Sequence, residues 1–429
     1  MEYIFIKRQL RQLFNSRRTV ERGGKLFLLC NRPKVEKLSK FSPCERPKVE
    51  RSKLSFIFFL SLVYSLSLLL FIPLSASAQS KYIQAVDEYR PAPGQYVNDA
   101  PEYEEGDTEA DMIRKCNERI AGLGHIDAHL VALGGWGGYI TFHFDHPIVN
   151  IPGQRDFAVW GNAYQEMRHL VFGGMNEAGI VMVSQDTNGN GKPDDPWYEI
   201  SGSCDVDSIG KVVYNYEVTY RRNPMGDIPW TDNQGNSGTI DRNHYHTQEY
   251  FPQWLADDEL TFRGTRLPDN MLNLSDQVDQ AWSPYYYVLV GFRYGYADNL
   301  PNFTDDADAT SYNYEGCGID ISWAVDDQRQ PVNLDHIDFV RVYSGMNQKC
   351  PQPEWWGETS TEIISAEDLH LEASIEAMGM DRLQFTVDGL QENAPAYDLL
   401  GRRSLSSSKR TSPLTPQIII RNGKKFFLK

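Results

Sequence analysis

The sequence predicts an all-β protein: an antiparallel β-sandwich or jelly-roll body with long loops, then a small C-terminal β-sandwich domain. Three observations carry this. Segments rich in β-branched and aromatic residues recur through the middle of the chain, with Gly, Pro and Asn-rich stretches between them. Aromatic residues make up 12% of the 429 residues, 23 of them Tyr, a composition that favours pleated surfaces. No Gly-rich phosphate loop and no alternation of strand and helix patterns is present, which argues against the doubly wound classes.

The first 78 residues read as lying outside the fold. Residues 1–53 carry 15 Lys/Arg against 5 Asp/Glu, a charge of +10. An apolar run follows from Leu54 and ends in Ala76-Ser77-Ala78 before Gln79. Basic flank, apolar run and small-residue exit make a secretory signal. The run 54–74 is also about long enough to span a bilayer, but the Ala-Ser-Ala exit and the polar segment after it favour cleavage. The basic preamble is long for a signal and reads as an over-extended gene start, although no Met lies between Met1 and Met112. Residues after 53 hold 27 Lys/Arg and 53 Asp/Glu, a charge of −26. That field repels phosphate backbones, so nucleic acid is excluded as a partner.

Residues 79–122 read as a polar arm, with Pro91, Pro93, Pro101 and an acidic stretch at 102–105, and a short helix over 111–122. Residues 123–360 form the predicted binding domain. Its strands are expected at 139–144, 156–160, 179–183, 214–220, 286–292, 318–325 and 337–343. Four cysteines remain after the signal: Cys116, Cys204, Cys317 and Cys350. They allow three disulfide pairings or four buried thiols, and no CxxC spacing marks a zinc or redox site.

Residues 361–429 differ in texture. Residues 383–387 read as a strand, and 418–420 and 424–428 flank Asn422-Gly423, a strong hairpin signal. With Tyr397-Asp398-Leu399-Leu400-Gly401-Arg402 and the terminal Lys429, this tail resembles the C-terminal sorting domain of the type IX secretion system of Bacteroidetes. The usual Pro-Gly-Ile-Tyr is replaced by Pro416-Gln417-Ile418-Ile419. The resemblance implies the type IX machinery as a partner and the cell surface or the extracellular space as the destination.

The sharpest chemical motif runs from Asp186 to Asp195. Asp186, Asn188, Asn190 and Asp194 offer oxygens at loop positions 1, 3, 5 and 9, with Gly191 at 6. Ca²⁺ takes six to eight oxygen ligands, and Gly at position 6 permits the sharp turn. The Lys192 carbonyl would be the position-7 ligand. Trp197 stands where the closing Glu belongs, so Glu199, or else Asp195, is the candidate to close the site. A structural Ca²⁺ is expected.

Other clusters read as structural. Asp298-Asn299 with Asp305, Asp306 and Asp308 reads as a solvated acidic loop. Asp320, Asp326 and Asp327 are chance neighbours in so acidic a chain rather than a glycosidase pair. His244 and His246 would share a strand face, without a third ligand to make a metal site. Aromatics recur in the loops: Trp136, Trp160, Trp197, Trp230, Trp254, Trp282, Tyr285, Tyr286, Tyr287 and Trp323. Those in Gly- and Pro-rich surroundings suit stacking on a sugar or a flat cofactor.

The body also carries Gly134-Gly135-Trp136-Gly137-Gly138-Tyr139-Ile140, Asp186–Glu199 with its Asn-Gly-Asn-Gly loop, and Gly295-Tyr296-Ala297-Asp298-Asn299. Asp320-Ile321-Ser322-Trp323-Ala324-Val325-Asp326 and Ile337-Asp338-Phe339-Val340-Arg341-Val342-Tyr343 follow. Across 130–345 it is similar to a family of secreted and cell-surface proteins of Bacteroidetes. Some of these resemble accessory proteins found beside outer-membrane cobalamin receptors. The resemblance implies capture of a nutrient such as a corrinoid, with an outer-membrane receptor as a partner. No nucleophile or metalloprotease motif is present. The expected function is therefore a binding protein for a small nutrient or a glycan. A carbohydrate-active enzyme on the same scaffold and an adhesive surface protein are the alternatives.

Overall fold

The computed structural model describes residues 79–165, 174–207, 210–277, 285–304, 311–351 and 357–378, and the backbone of four short strands between 396 and 428. The chain is all-β, and its named strands pair antiparallel. The largest sheet has seven strands. Its order is Ala85–Arg90, Tyr139–Val149, His336–Ser344, Gly179–Ser184, Trp197–Ile200 and Ala324–Val325, with Tyr296–Ala297 also paired to Gly179–Ser184. His336–Ser344 lies in the middle of this order, paired on both edges and buried along most of its length. Val340 lies opposite Phe142 on one side and Val183 on the other, and all three are buried. Each such side chain contributes roughly 1.5–3 kcal/mol on burial.

A second sheet runs Ser237–Ile240, Ile228–Asp232, Val213–Arg221, Glu259–Arg266. Alternation sets its faces. Tyr216, Val218, Tyr220, Leu260 and Phe262 are buried. Glu217 and Thr219 meet Arg263 and Thr261 on the outer face. The inner face packs on Ile180, Tyr296 and Tyr343 of the large sheet, which makes the sandwich. Trp136 is wedged between them, its ring edge-on to Tyr216 at 4.8 Å. Gly137 beyond it has φ +88°, and a Cβ there would strike Phe262 at 2.4 Å, so glycine is what lets the chain turn Trp136 inward.

Residues 79–122, whose composition suggests an arm, supply the edge strand Ala85–Arg90 and the helix Glu109–Ile120. Asp87, Glu88 and Arg90 mask the strand signal, as charges on an edge strand commonly do. Val86 and Tyr89 are buried, and the Tyr89 hydroxyl donates to the Ala132 carbonyl at 2.8 Å. The helix begins at a capping box between Thr108 and Asp111 and buries Met112, Cys116 and Ile120, one face at a spacing of four. Other strands differ in length from expectation. The 286–292 segment is strand only at Tyr287–Leu289, and 318–325 is split by a helical turn, Ile321–Trp323, that Asp320 caps.

Two segments beyond residue 360 complete sheets begun far upstream. Glu362–Ile363 pairs with Val131–Ala132, and Ser365–Asp368 with Phe157–Trp160. In the tail, Gln417–Arg421 pairs with Lys424–Leu428, Arg421 opposite Lys424, the pairing that Asn422-Gly423 predicts. Ala396–Asp398 and Arg403–Ser404 extend that sheet to four strands. Cys116, Cys204 and Cys317 are free, buried thiols, and Cys350 is buried too. Among the described residues no helix is long and apolar enough to cross a membrane. The expectations for residues 1–78, the strand at 383–387, Trp282, and Asp305, Asp306 and Asp308 lie outside the described residues.

Candidate ligand pocket and calcium loop

A cavity of about 350 Å³ opens between the second sheet and the segments at 135–136, 346–349 and 358–359. Its apolar walls are Trp136, Tyr220, Trp230, Ile240 and Met346. Trp230 lies directly across the strand pair from Gly238. A Cβ on Gly238 would stand 2.5 Å from the indole, so the ring covers the bare glycine backbone. Ser237, Thr239, Asn347 and Gln348 add hydroxyl and amide groups, and Lys349 pairs with Asp241 at 2.6 Å.

Two polar atoms among the lining residues have no protein partner: the Trp136 Nε1–H and Glu358 Oε2. Glu358 is 7% exposed, and its other oxygen accepts the Gln95 N–H at 2.6 Å. Burial pushes its carboxyl up to about 7. A buried polar atom without a partner costs about 1–3 kcal/mol.

The 186–195 loop joins two strands of the large sheet, Gly179–Ser184 and Trp197–Ile200, rather than two helices. Asp186 accepts the backbone N–H groups of Asn190 and Gly191 at 3.0 and 2.8 Å. Asp194 accepts the amides of Asn188 and Asn190, which hold its carboxyl below the ordinary value. The Lys192 N–H donates to Asn190 Oδ1. Gly191 has φ +67°, the left-handed turn expected at position 6. These five candidates are thus gathered in one small loop. Asp195 Oδ2 is enclosed without a protein partner, an acceptor that suits a hard cation.

Glu199 is placed elsewhere. It lies on the Trp197–Ile200 strand opposite Met182. Its carboxylate accepts from Arg329 Nη1 and from the Thr265 hydroxyl, both at 2.6 Å. The sequence signal missed Asp338 instead. A bulge between Ile337 and Phe339 turns Asp338 so that it accepts the Asp186 N–H at 2.7 Å, bracing the base of the loop.

A third feature was read differently from sequence. Asp298 and Asn299, expected in a solvated loop, are 3% and 1% exposed. Asp298 converges with Glu177 and Glu362, their oxygens within 4.8 Å of one another. Asp298 accepts the N–H groups of Asn162, Ala163 and Glu362, and Glu177 accepts that of Ser360. Burial raises all three carboxyls, Glu362 to about 8. Oxygen ligands of this kind suit a hard cation, but the inward N–H groups and shared protons satisfy much of the cluster from within the protein. A pocket-scale role is also absent from the remaining candidates. Asp320 and Asp326 cap turns. His244 and His246 lie in a turn rather than a strand, the first ring tilted against Tyr245 and the second edge-on to Tyr96.

A second, more open cleft of about 600 Å³ is lined by Arg155, Tyr314, Glu315, Glu367 and His370. Both of its carboxylates are already ion-paired, Glu315 with Arg155 and Glu367 with Lys81. Comparison with protein-family models and with curated proteins gives no match.

Proposed function

We propose that this chain is an exported, cell-surface binding protein, stabilised by Ca²⁺ at the 186–195 loop, that captures a nutrient ligand (a corrinoid or a glycan) and releases it unchanged. The cavity walled by aromatic side chains, with hydroxyl and amide groups in its lining, is the observation that carries this reading. Such cavities bind by apolar contact and a few placed hydrogen bonds. Glycoside hydrolysis needs two facing carboxyl groups, and Glu358 is the one carboxylate in this lining. Delivery to an outer-membrane receptor and export through the type IX machinery belong to the same proposal. Calorimetry of the purified protein against cobalamin, cobinamide and a neutral glycan panel tests it. Heat of binding with no released product is expected, and product formation would overturn it in favour of an enzyme.

Calcium is tested separately. In the presence of Ca²⁺ at a hundredfold excess over Kd, binding to the native state adds about 2.7 kcal/mol. A chelator should therefore lower the Tm by several degrees. Asp186→Ala should remove most of that difference, and identical melting curves with and without chelator would refute a structural Ca²⁺.

The tail is tested by deletion of residues 396–429, which spares the strands at 362–368 that complete the body. The shortened protein is expected to fold and to stay in the periplasm. Unchanged protease accessibility on intact cells would reject the sorting role.

A further inference from the structure

We propose that Asn188 is a site of self-modification: the Gly189 backbone nitrogen attacks its side-chain amide, which becomes aspartate or isoaspartate, ahead of the equivalent step at Asn190-Gly191. The reaction is intramolecular and needs no bound cation. The Gly189 nitrogen, its proton lost to hydroxide, adds to Asn188 Cγ. The new N–Cγ bond closes a five-membered ring, the Cγ–Nδ2 bond breaks, and ammonia leaves with a proton taken from water. Water then opens the ring at either carbonyl, which gives the two acids. Glycine favours the attack because no side chain crowds its nitrogen.

The 186–195 loop holds two such steps in succession, Asn188-Gly189 and Asn190-Gly191, and the structure treats them differently. The Gly191 N–H donates to Asp186 Oδ2 at 2.8 Å, so that nitrogen is engaged. Among the described residues nothing accepts the Gly189 N–H. Asn190 is also gripped harder. Its amide donates to both oxygens of Asp194, at 3.1 and 3.0 Å, whereas the Asn188 amide donates to one, at 3.0 Å. Each side-chain oxygen accepts a backbone N–H, Asn188 from Asn190 and Asn190 from Lys192. Such a donor stabilises the charge that gathers on that oxygen during attack. This help is common to both asparagines, so the freedom of the attacking nitrogen decides between them. Both residues are exposed, and a Cβ on Gly189 would meet nothing within 4 Å, so water and hydroxide reach the step. The product changes the loop. The Asn188 amide helps hold the Asp194 carboxyl below its ordinary value, and a carboxylate in its place would face Asp194 with like charge.

The test incubates the signal-free chain in mildly alkaline buffer with a chelator and follows both residues by peptide mass spectrometry. Asn188 is expected to convert at least about fivefold faster than Asn190, the rate equivalent of one hydrogen bond that must first break. In urea, where neither nitrogen is held, the ratio should fall towards one. Asp186→Ala frees the Gly191 nitrogen and should bring Asn190 up to the rate of Asn188, with circular dichroism to confirm that the variant is folded. Equal rates in the native chain, a lead for Asn190, or a ratio that urea leaves unchanged overturns the proposal. So does a native chain in which neither residue converts while the urea-unfolded chain does. Asn188→Asp carries one product from the start and should melt below wild type in chelator. An unchanged melting temperature overturns the repulsion from Asp194.

Discussion

Raising the pH from about 5 to about 9 is expected to destabilise the protein by several kcal/mol, and Glu362→Gln to remove much of that loss. The cause is the buried trio Glu177, Asp298 and Glu362. In the unfolded chain these carboxyls titrate near 4. In the folded protein burial raises all three, Glu362 to about 8. Between those values the native state holds more protons than the unfolded state. Stability then falls as pH rises, at a slope of about 1.4 kcal/mol per pH unit for each extra proton held. The contribution is fully present below the unfolded pKa and is lost through the folded one. Asp156, pushed up to about 7 by burial, acts in the same direction. So does His146, raised by Asp368 and Asp145 against the opposing effect of its burial. Glutamine at 362 keeps the shape and carries no charge to desolvate, so the variant should be more stable than wild type at about pH 8 to 9. Urea midpoints across the pH range check this, and a flat wild-type profile between about pH 5 and 9 would sink it.

Arg329→Met is expected to cost about 1–3 kcal/mol at neutral pH, between the loss of a surface pair and the orphaning of a fully buried one, because this pair is partly buried. Arg329 donates to Glu199 at 2.6 Å and also pairs with Asp205. Glu199 is held above its ordinary value by burial even with this guanidinium beside it. Without Arg329 the two carboxylates face each other uncompensated. Methionine carries the same backbone strain at the positive φ of residue 329, so the comparison isolates the charge. Two rescues should follow: acidification, which protonates Glu199, and the second substitution Glu199→Gln. A loss of less than about 1 kcal/mol, typical of surface pairs, would show that the site is solvated.

These two expectations also mark where sequence reading stopped. Strands 139–149, 179–184, 213–221 and 336–344 were legible because β-branched and aromatic residues alternate or run continuously there. The strand Glu259–Arg266 was legible in principle, since Leu260 and Phe262 alternate with Thr261 and Arg263 and are buried. Ile228–Asp232 was hidden by Pro229, a residue that argues against a strand interior. The candidate cation loop was visible because its oxygen-bearing side chains are local in sequence. Glu199 was named for it because counting residues does not tell which way a carboxylate points, and the pull of Arg329 comes from across the fold. The acidic trio draws one residue from each of three remote segments. Nothing in the local pattern of Glu177 or Glu362 separates them from the other 56 Asp and Glu residues. Trp136 and Trp230 were named as stacking candidates, but only the cross-strand pairing to Gly238 separates the wall of a cavity from core filling.

The large sheet has a temporal consequence. Its middle strand, His336–Ser344, is made some 200 residues after the neighbour Tyr139–Val149 that it joins to Gly179–Ser184. Until residue 344 leaves the ribosome, those two strands have no surface on which to meet. The sheets closed by residues 362–368 wait longer still. Chains dominated by such distant pairings nucleate slowly, because loop closure precedes any reward from contact. For a protein exported as we propose, that delay is useful: the large sheet stays open until its late strand has crossed, although the locally paired sheet of residues 213–266 can close earlier.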